Sequence, residues 1–143
     1  MKKQKTKIMV FGTFDGLHLG HLNFFKQARN LAIKNCLPFL IISIARDKNV
    51  KKIKNKKTIF SEKERMFLVK KSKLADKVVL SGIKNYIPHI VKEKPEIIAL
   101  GYDQKAYVKN LRAELFKKGI NVKIARLKPY KEHIYKNSLL NKS

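Results

Sequence analysis

Residues 8–21 read Ile8-Met9-Val10-Phe11-Gly12-Thr13-Phe14-Asp15-Gly16-Leu17-His18-Leu19-Gly20-His21, and this stretch decides how the rest of the chain is arranged. Ile8–Phe11 is a short apolar run ending at Gly12, the pattern of a buried strand meeting a sharp turn. From Leu19 to Lys34, the residues Leu22, Phe25, Ala28, Ala32 and Ile33 share one side at helical spacing. The order is therefore strand, glycine turn, helix.

The remaining segments repeat that alternation. Pro38–Ala45 reads as a second buried strand, followed by a lysine-rich loop over 46–60. Ser61 and Glu64 have capping-box spacing and open a helix running to about Ser72. Lys77–Leu80 is a short strand, Ile83–Lys92 a helix, and Glu96–Leu100 a buried strand ending at Gly101. Gln104–Lys118 is a helix closed by Gly119, and Asn121–Leu127 an edge strand. Strands alternating with helices imply right-handed βαβ units. The fold class is α/β, a single Rossmann-like, doubly wound parallel sheet with helices on both faces. No repeat and no Pro/Gly/Ser-rich linker divides the chain, so residues 1–143 form one domain, with 1–6 expected as a flexible basic tail.

Composition narrows the class. Lys+Arg number 34 against 10 Asp+Glu, a formal charge of +24, while 44% of residues are apolar, enough for a core. That field attracts polyanions of any kind, and charge alone does not choose among nucleic acid, membrane surface and small phosphates. Only five of the basic residues are arginine, and no helix-turn-helix, zinc-finger or RNP pattern is present. No run reaches the roughly 18 apolar residues of a membrane span. The single cysteine, Cys36, excludes an internal disulfide, and the chain reads as cytoplasmic.

In an open parallel sheet, ligands bind beyond the carboxyl ends of the strands. Three such ends carry unusual residues: Gly12–His21, Arg46-Asp47, and Gly101-Tyr102-Asp103-Gln104. His18 and His21 are three apart, so both rings can share one face of a helix start. Helix-end amides and the helix dipole attract phosphate there, and imidazole donors can stabilise charge on a phosphoryl oxygen. Gly20 between them leaves the backbone open to a ligand. A metal bound by the two histidines with Asp15 lacks a third strong ligand at sensible spacing. Asp15 either orients a histidine or caps the helix. His89 and His133 read as surface or core histidines.

The block GTFDGLHLGH resembles the G-T-F-D-x-x-H-x-G-H pattern of the nucleotidylyltransferase superfamily, in its cytidylyltransferase-like branch. With ARDKNVKKIK and GYDQ, the chain looks most like archaeal-type FAD synthases (FMN adenylyltransferases), with glycerol-3-phosphate cytidylyltransferases as the neighbouring alternative. A non-enzymatic basic nucleic-acid-binding protein is the distant alternative. The resemblance implies attack by an acceptor phosphate on the α-phosphorus of a nucleoside triphosphate, with release of pyrophosphate. It implies Mg²⁺ or another divalent cation held by the phosphates, with no protein metal ligand. By position, His18 and His21 would be catalytic, with Lys51 and Lys54 from the lysine run as a phosphate clamp. Gly12, Thr13, Phe14, Leu19, Gly20, Asp103, Tyr130 and Ser138 would join the histidines in binding nucleotide. Asp15, Arg46 and Asp47 would meet the acceptor, and Phe14, Tyr86 and Tyr107 are candidate walls for a flavin ring. Arg65 matches a recurrent arginine that would bind phosphate or pair helices. Asn137, in Lys136-Asn137-Ser138, departs from the family's Ser/Thr pair, and the paired cysteines frequent in archaeal FAD synthases are absent. The expected partners are a nucleotide and a phosphorylated small molecule, with no specific nucleic acid and no membrane. A homodimer is the oligomer the resemblance suggests.

Overall fold

The apolar run at the start of the chain forms the middle strand of the sheet. The computed structural model describes residues 4–48, 50, 58–81, 86–101, 104 and 110–129. Among these are five strands: β1 (Lys5–Gly12), β2 (Leu37–Ile44), β3 (Lys77–Leu80), β4 (Ile97–Leu100) and β5 (Lys123–Arg126). The four helices described are α1 (Leu19–Arg29), α2 (Glu62–Lys71), α3 (Tyr86–Glu93) and α4 (Leu111–Lys117). All pairings are parallel and the order is β3-β2-β1-β4-β5. This is the doubly wound arrangement, with its switch point between β1 and β4.

Side-chain alternation along the strands explains the two layers of helices. Ile8, Val10, Leu40, Ile42 and Ile44 pack on one face against Phe25 and Ala28 of α1 and Val69 of α2. Met9, Phe11, Ile41, Ile98 and Leu100 pack on the other against Ile87 and Ile90 of α3 and Leu111 and Leu115 of α4. Both faces of the central strands are covered, which is why they read as continuous apolar runs.

Several boundaries differ from the sequence expectation. The basic tail is shorter than six residues, because β1 begins at Lys5 and Thr6 is buried, its Oγ1 accepting the Ile33 amide at 3.0 Å. Helix α1 stops at Arg29 rather than Lys34. The chain there turns back toward β2, with Asn35 at φ +70°. The 46–60 segment is not loop throughout, since residues 47, 48 and 50 are helical and Val50 is buried. Helix α4 begins only at Leu111, after Asn110 in the left-handed region. It ends as expected on Gly119, at φ +84°, with the Ile120 amide returning to the Leu115 carbonyl.

Helix α2 matches its sequence signature. Ser61 Oγ accepts the Glu64 amide at 3.2 Å and Glu64 Oε1 accepts the Ser61 amide at 3.1 Å. Ser61→Ala should therefore cost about 1 kcal/mol of folding free energy in urea titrations. An unchanged midpoint would mean the helix does not depend on this cap.

Candidate active site

The loop between β1 and α1 is held from beneath by Arg65, a fully buried arginine of α2. Its Nη1 donates to the Thr13 carbonyl at 2.8 Å, its Nε to the Phe60 carbonyl at 3.2 Å and its Nη2 to Asp47 Oδ1 at 2.6 Å. Asp15 completes the tie by accepting the Ile59 and Phe60 amides at 2.7 and 2.8 Å. Asp47 also accepts from the Glu62 amide and from Thr58 Oγ1. Burial would raise the Asp47 carboxyl, but Arg65, the Glu62 amide and Thr58 together hold it below the ordinary aspartate value. The Asp15 and Asp47 carboxylates, expected at the acceptor, are engaged by loop amides, and Asp47 also by the Arg65 guanidinium. Asp15 caps the 59–60 segment rather than α1 or a histidine.

Above this tie the two histidines cap α1 reciprocally. His18 Nδ1 accepts the Gly20 amide at 3.0 Å, and His21 Nδ1 accepts the His18 amide at 3.3 Å. The rings stack with centroids 3.8 Å apart. Because each Nδ1 is an acceptor, the hydrogen bonds assign both imidazoles as neutral, with the proton on Nε2. Burial lowers the His18 pKa. Burial and the neighbouring His18 push His21 down to about 4, against the pull of the Gly16 carbonyl. The first turn of α1 contains no carboxylate. It therefore offers an incoming anion a positive dipole end and neutral N–H donors without a competing charge.

Local sequence enforces this geometry. A Cβ on Gly20 would lie 2.7 Å from His18 Cε1, so the glycine makes room for the capping ring. A Cβ on Gly12 would lie 2.5 Å from Phe14 Cζ. Phe14, at φ +52°, is buried over that glycine and meets His21 and Phe25 edge-on, with centroids 5.5 and 5.1 Å away. Its ring thus positions His21. Leu19 is the exposed first residue of the helix.

Of the GYDQ segment, Gly101 and Gln104 are described. Gln104 Oε1 accepts the Gly101 amide at 2.8 Å and its Nε2 donates to the Phe11 carbonyl at 2.9 Å. Arg126 Nη1 donates to the carbonyls of Gly101 and Gln104 at 2.7 and 2.8 Å. These bonds tie the carboxyl ends of β1, β4 and β5 together at the switch point. Sequence reasoning quoted Gln104 without giving it a role and missed Arg126; only the long-range bonds reveal them. Arg46 Nε donates to the Ser81 carbonyl at 2.7 Å. Lys51, Lys54, Asp103, Tyr130 and Ser138 lie outside the described residues, as do Tyr107 and His133.

A switch-point site with an anion-ready helix start defines a nucleotide-phosphate-binding α/β protein. The family can be stated more closely. The model of the cytidylyltransferase-like family matches residues 9–138, and the chain belongs to that family. It is 42% identical over 127 residues to a protein of Korarchaeum cryptofilum named FAD synthase, covering 89% of this chain and 84% of that one. A Thermococcus sibiricus protein of the same name is 41% identical over 140 residues, covering 96% and 90%. Among solved structures, a Thermoplasma volcanium protein titled as a lipopolysaccharide core biosynthesis protein superposes with a TM-score of 0.79 at 34% identity, covering 88% of this chain and 98% of that one. The chain is accordingly a nucleotidyltransferase, as the HxGH resemblance implies.

Two outcomes follow from the site's construction. Arg65→Ala leaves the Thr13 and Phe60 carbonyls without their guanidinium donor and Asp47 without its partner, and should cost about 1–3 kcal/mol in chemical denaturation; a loss within error of zero would remove the tie. The second concerns acid. The unfolded His21 imidazole takes a proton near 6.5, but the folded one only near 4. Between those values the unfolded state binds more protons, so stability falls as pH drops from about 6.5 toward 4. His21→Gln, which keeps an acceptor but does not titrate, should flatten that slope in pH-dependent unfolding curves. An unaltered slope would assign the acid sensitivity elsewhere.

Proposed function

We propose that the protein transfers the adenylyl group of ATP to FMN, giving FAD and pyrophosphate. The observation that carries this reading is the pair of neutral imidazoles closing a carboxylate-free helix start at the end of β1. The choice of ATP and FMN is supported by the archaeal relatives named FAD synthase, which align over most of both chains.

A phosphate oxygen of FMN attacks the α-phosphorus of ATP. One P–O bond forms, the bond to the oxygen bridging the α- and β-phosphorus breaks, and pyrophosphate leaves with that oxygen. Charge develops on the phosphoryl oxygens, where pre-positioned donors lower the barrier most. His18 and His21 supply Nε2–H donors from rings fixed by their Nδ1 bonds, with His21 exchanging the Gly16 carbonyl for a phosphoryl oxygen as charge grows. Neither ring has to give up its proton, and no covalent enzyme intermediate is required. The Thr13 backbone, anchored by Arg65, and the first amides of α1 line the phosphate path. Lys51 and Lys54 complete the clamp in this reading.

The donor set bears on the divalent cation. Among the described residues no three His, Cys, Asp or Glu side chains gather at metal-binding distance, and Asp15 and Asp47 are already occupied. In this reading Mg²⁺ enters on the triphosphate, and no step is assigned to it. No helix among the described residues is long and apolar enough to cross a membrane. We place the reaction in the cytoplasm, with small phosphorylated molecules rather than nucleic acid as its partners.

Incubation with ATP, FMN and Mg²⁺ should yield FAD and pyrophosphate in equal amounts, while CTP with glycerol 3-phosphate should yield neither cytidylylated product nor pyrophosphate. The reverse pattern would replace the acceptor and nucleotide assigned here. His18→Ala should lower kcat by about 10²-fold or more, the usual loss on removing a donor to transition-state charge. Near-normal turnover in that variant would deny His18 its role.

A further inference from the structure

Ser81, the residue after β3, is 3% exposed, and its Oγ is the one buried side-chain polar atom among the described residues without a hydrogen-bond partner. A buried hydroxyl left unpaired asks for a ligand or ordered water. The Arg46 guanidinium lies against the same residue, its Nε donating to the Ser81 carbonyl at 2.7 Å. That bond orients a planar, permanently charged fork, and no described residue is recorded as an acceptor for its Nη groups.

His89 of α3 adds a third polar group. Its Nε2 is 2.8 Å from the Oγ of buried Ser43. With Ser43 donating, the imidazole keeps its proton on Nδ1. Burial lowers the His89 pKa; Glu93 raises it, while Arg46, Lys92 and Lys77 push it further down. Glu93 is itself paired with Lys77 Nζ at 2.7 Å. The surroundings of this imidazole are thus positive, with their one carboxylate already neutralised. Ser43 is the register partner of Phe11, the residue before Gly12, so the cluster begins one strand from the loop carrying His18 and His21.

We propose that Arg46, Ser81 and His89 form the subsite for the phosphate monoester of the acceptor. This rests on the adenylyl-transfer reading and extends it from Arg46, which the family resemblance already places at the acceptor, to Ser81 and His89 and to the acceptor's phosphate. In-line displacement needs the attacking phosphate and the departing pyrophosphate on opposite sides of the α-phosphorus. Gln104 and Arg126 brace the β1–β4–β5 side of the sheet's carboxyl edge, which leaves the β2–β3 side for the acceptor. Neighbouring strands are about 4.8 Å apart, so an anion at the end of β2 lies close to one bound at α1. Arginine's fork suits a phosphate, and a hydroxyl and an imidazole N–H add directional donors.

The test compares KM for FMN and for ATP in the wild type, Arg46→Met, Arg46→Lys, Ser81→Ala and His89→Gln, with unfolding midpoints as a control. Quenching of FMN and riboflavin fluorescence supplies affinities independent of turnover. Arg46→Met should raise the FMN KM about tenfold or more with the ATP KM nearly unchanged, and should erase the preference for FMN over riboflavin. Arg46→Lys, which keeps the charge but loses the fork, should fall between it and the wild type. This variant decides the matter should Arg46→Met fail to fold. Ser81→Ala and His89→Gln should each weaken FMN but not riboflavin. If the wild type forms FAD while these variants keep the FMN preference, or raise the ATP KM instead, the subsite is overturned alone. If the wild type forms no FAD, the adenylyl-transfer reading fails, and the acceptor subsite with it.

Discussion

The site depends on a guanidinium taken out of water. Arg65 is fully buried, and dehydrating such a charge costs several kcal/mol unless its donors find acceptors. The Thr13 and Phe60 carbonyls and the Asp47 carboxylate meet that demand from the β1–α1 loop and from the two ends of the β2–α2 connection. No one of these acceptors would suffice, so the connections are placed together or not at all. This is why the β1–α1 loop, the turn after β2 and the entry to α2 behave as one unit. A sequence-level choice between phosphate binding and helix pairing for Arg65 missed this third possibility, a buried loop tie.

The histidine pair shows the same economy at the ligand-facing surface. A capping box is more often built from a hydroxyl and a carboxylate, as Ser61 and Glu64 build it for α2. At α1 two imidazoles take both parts, and the first turn stays free of negative charge. The Nδ1 atoms serve the cap, which leaves the Nε2–H groups to face outward from it, that of His21 toward the Gly16 carbonyl. Protonation at Nδ1 would break the cap and place like charges 3.8 Å apart, so neutrality is built into the geometry. Gly12, Phe14 and Gly20 are the packing conditions for this arrangement.

The excess of basic charge acquires a structural context. Asp15, Asp47, Glu62, Glu64, Asp76, Glu93 and Glu96 each accept a hydrogen bond from an amide, a guanidinium or an ammonium group. These carboxylates act mainly as acceptors that fix loops and strand ends, and only three ion pairs involve them among the described residues. The chain's formal net charge of +24 stands whatever these pairs do. Such a field concentrates ATP-sized anions at any suitable cleft and falls with ionic strength.

Local signals in the sequence determined the class of fold and the HxGH loop. The bounds of β3 and the Ser61–Glu64 cap were legible because periodicity and capping act over a few residues. Those signals overran the ends of α1 and α4, although Asn35 and Asn110, both left-handed, are of a type that adopts that conformation readily. Only the tertiary structure decided what the charged residues of the motifs do. The Arg65–Asp47 pair spans 18 residues, Asp15 to Ile59 spans 44, and Ser43 to His89 spans 46. An acceptor so distant leaves no trace in spacing, which is why the loop bonds of Asp15 and Asp47 and the Ser43–His89 contact were not legible in the sequence. Hydrophobic periodicity is a property of each segment, but the partner of a buried polar group is chosen by the packing of segments against one another.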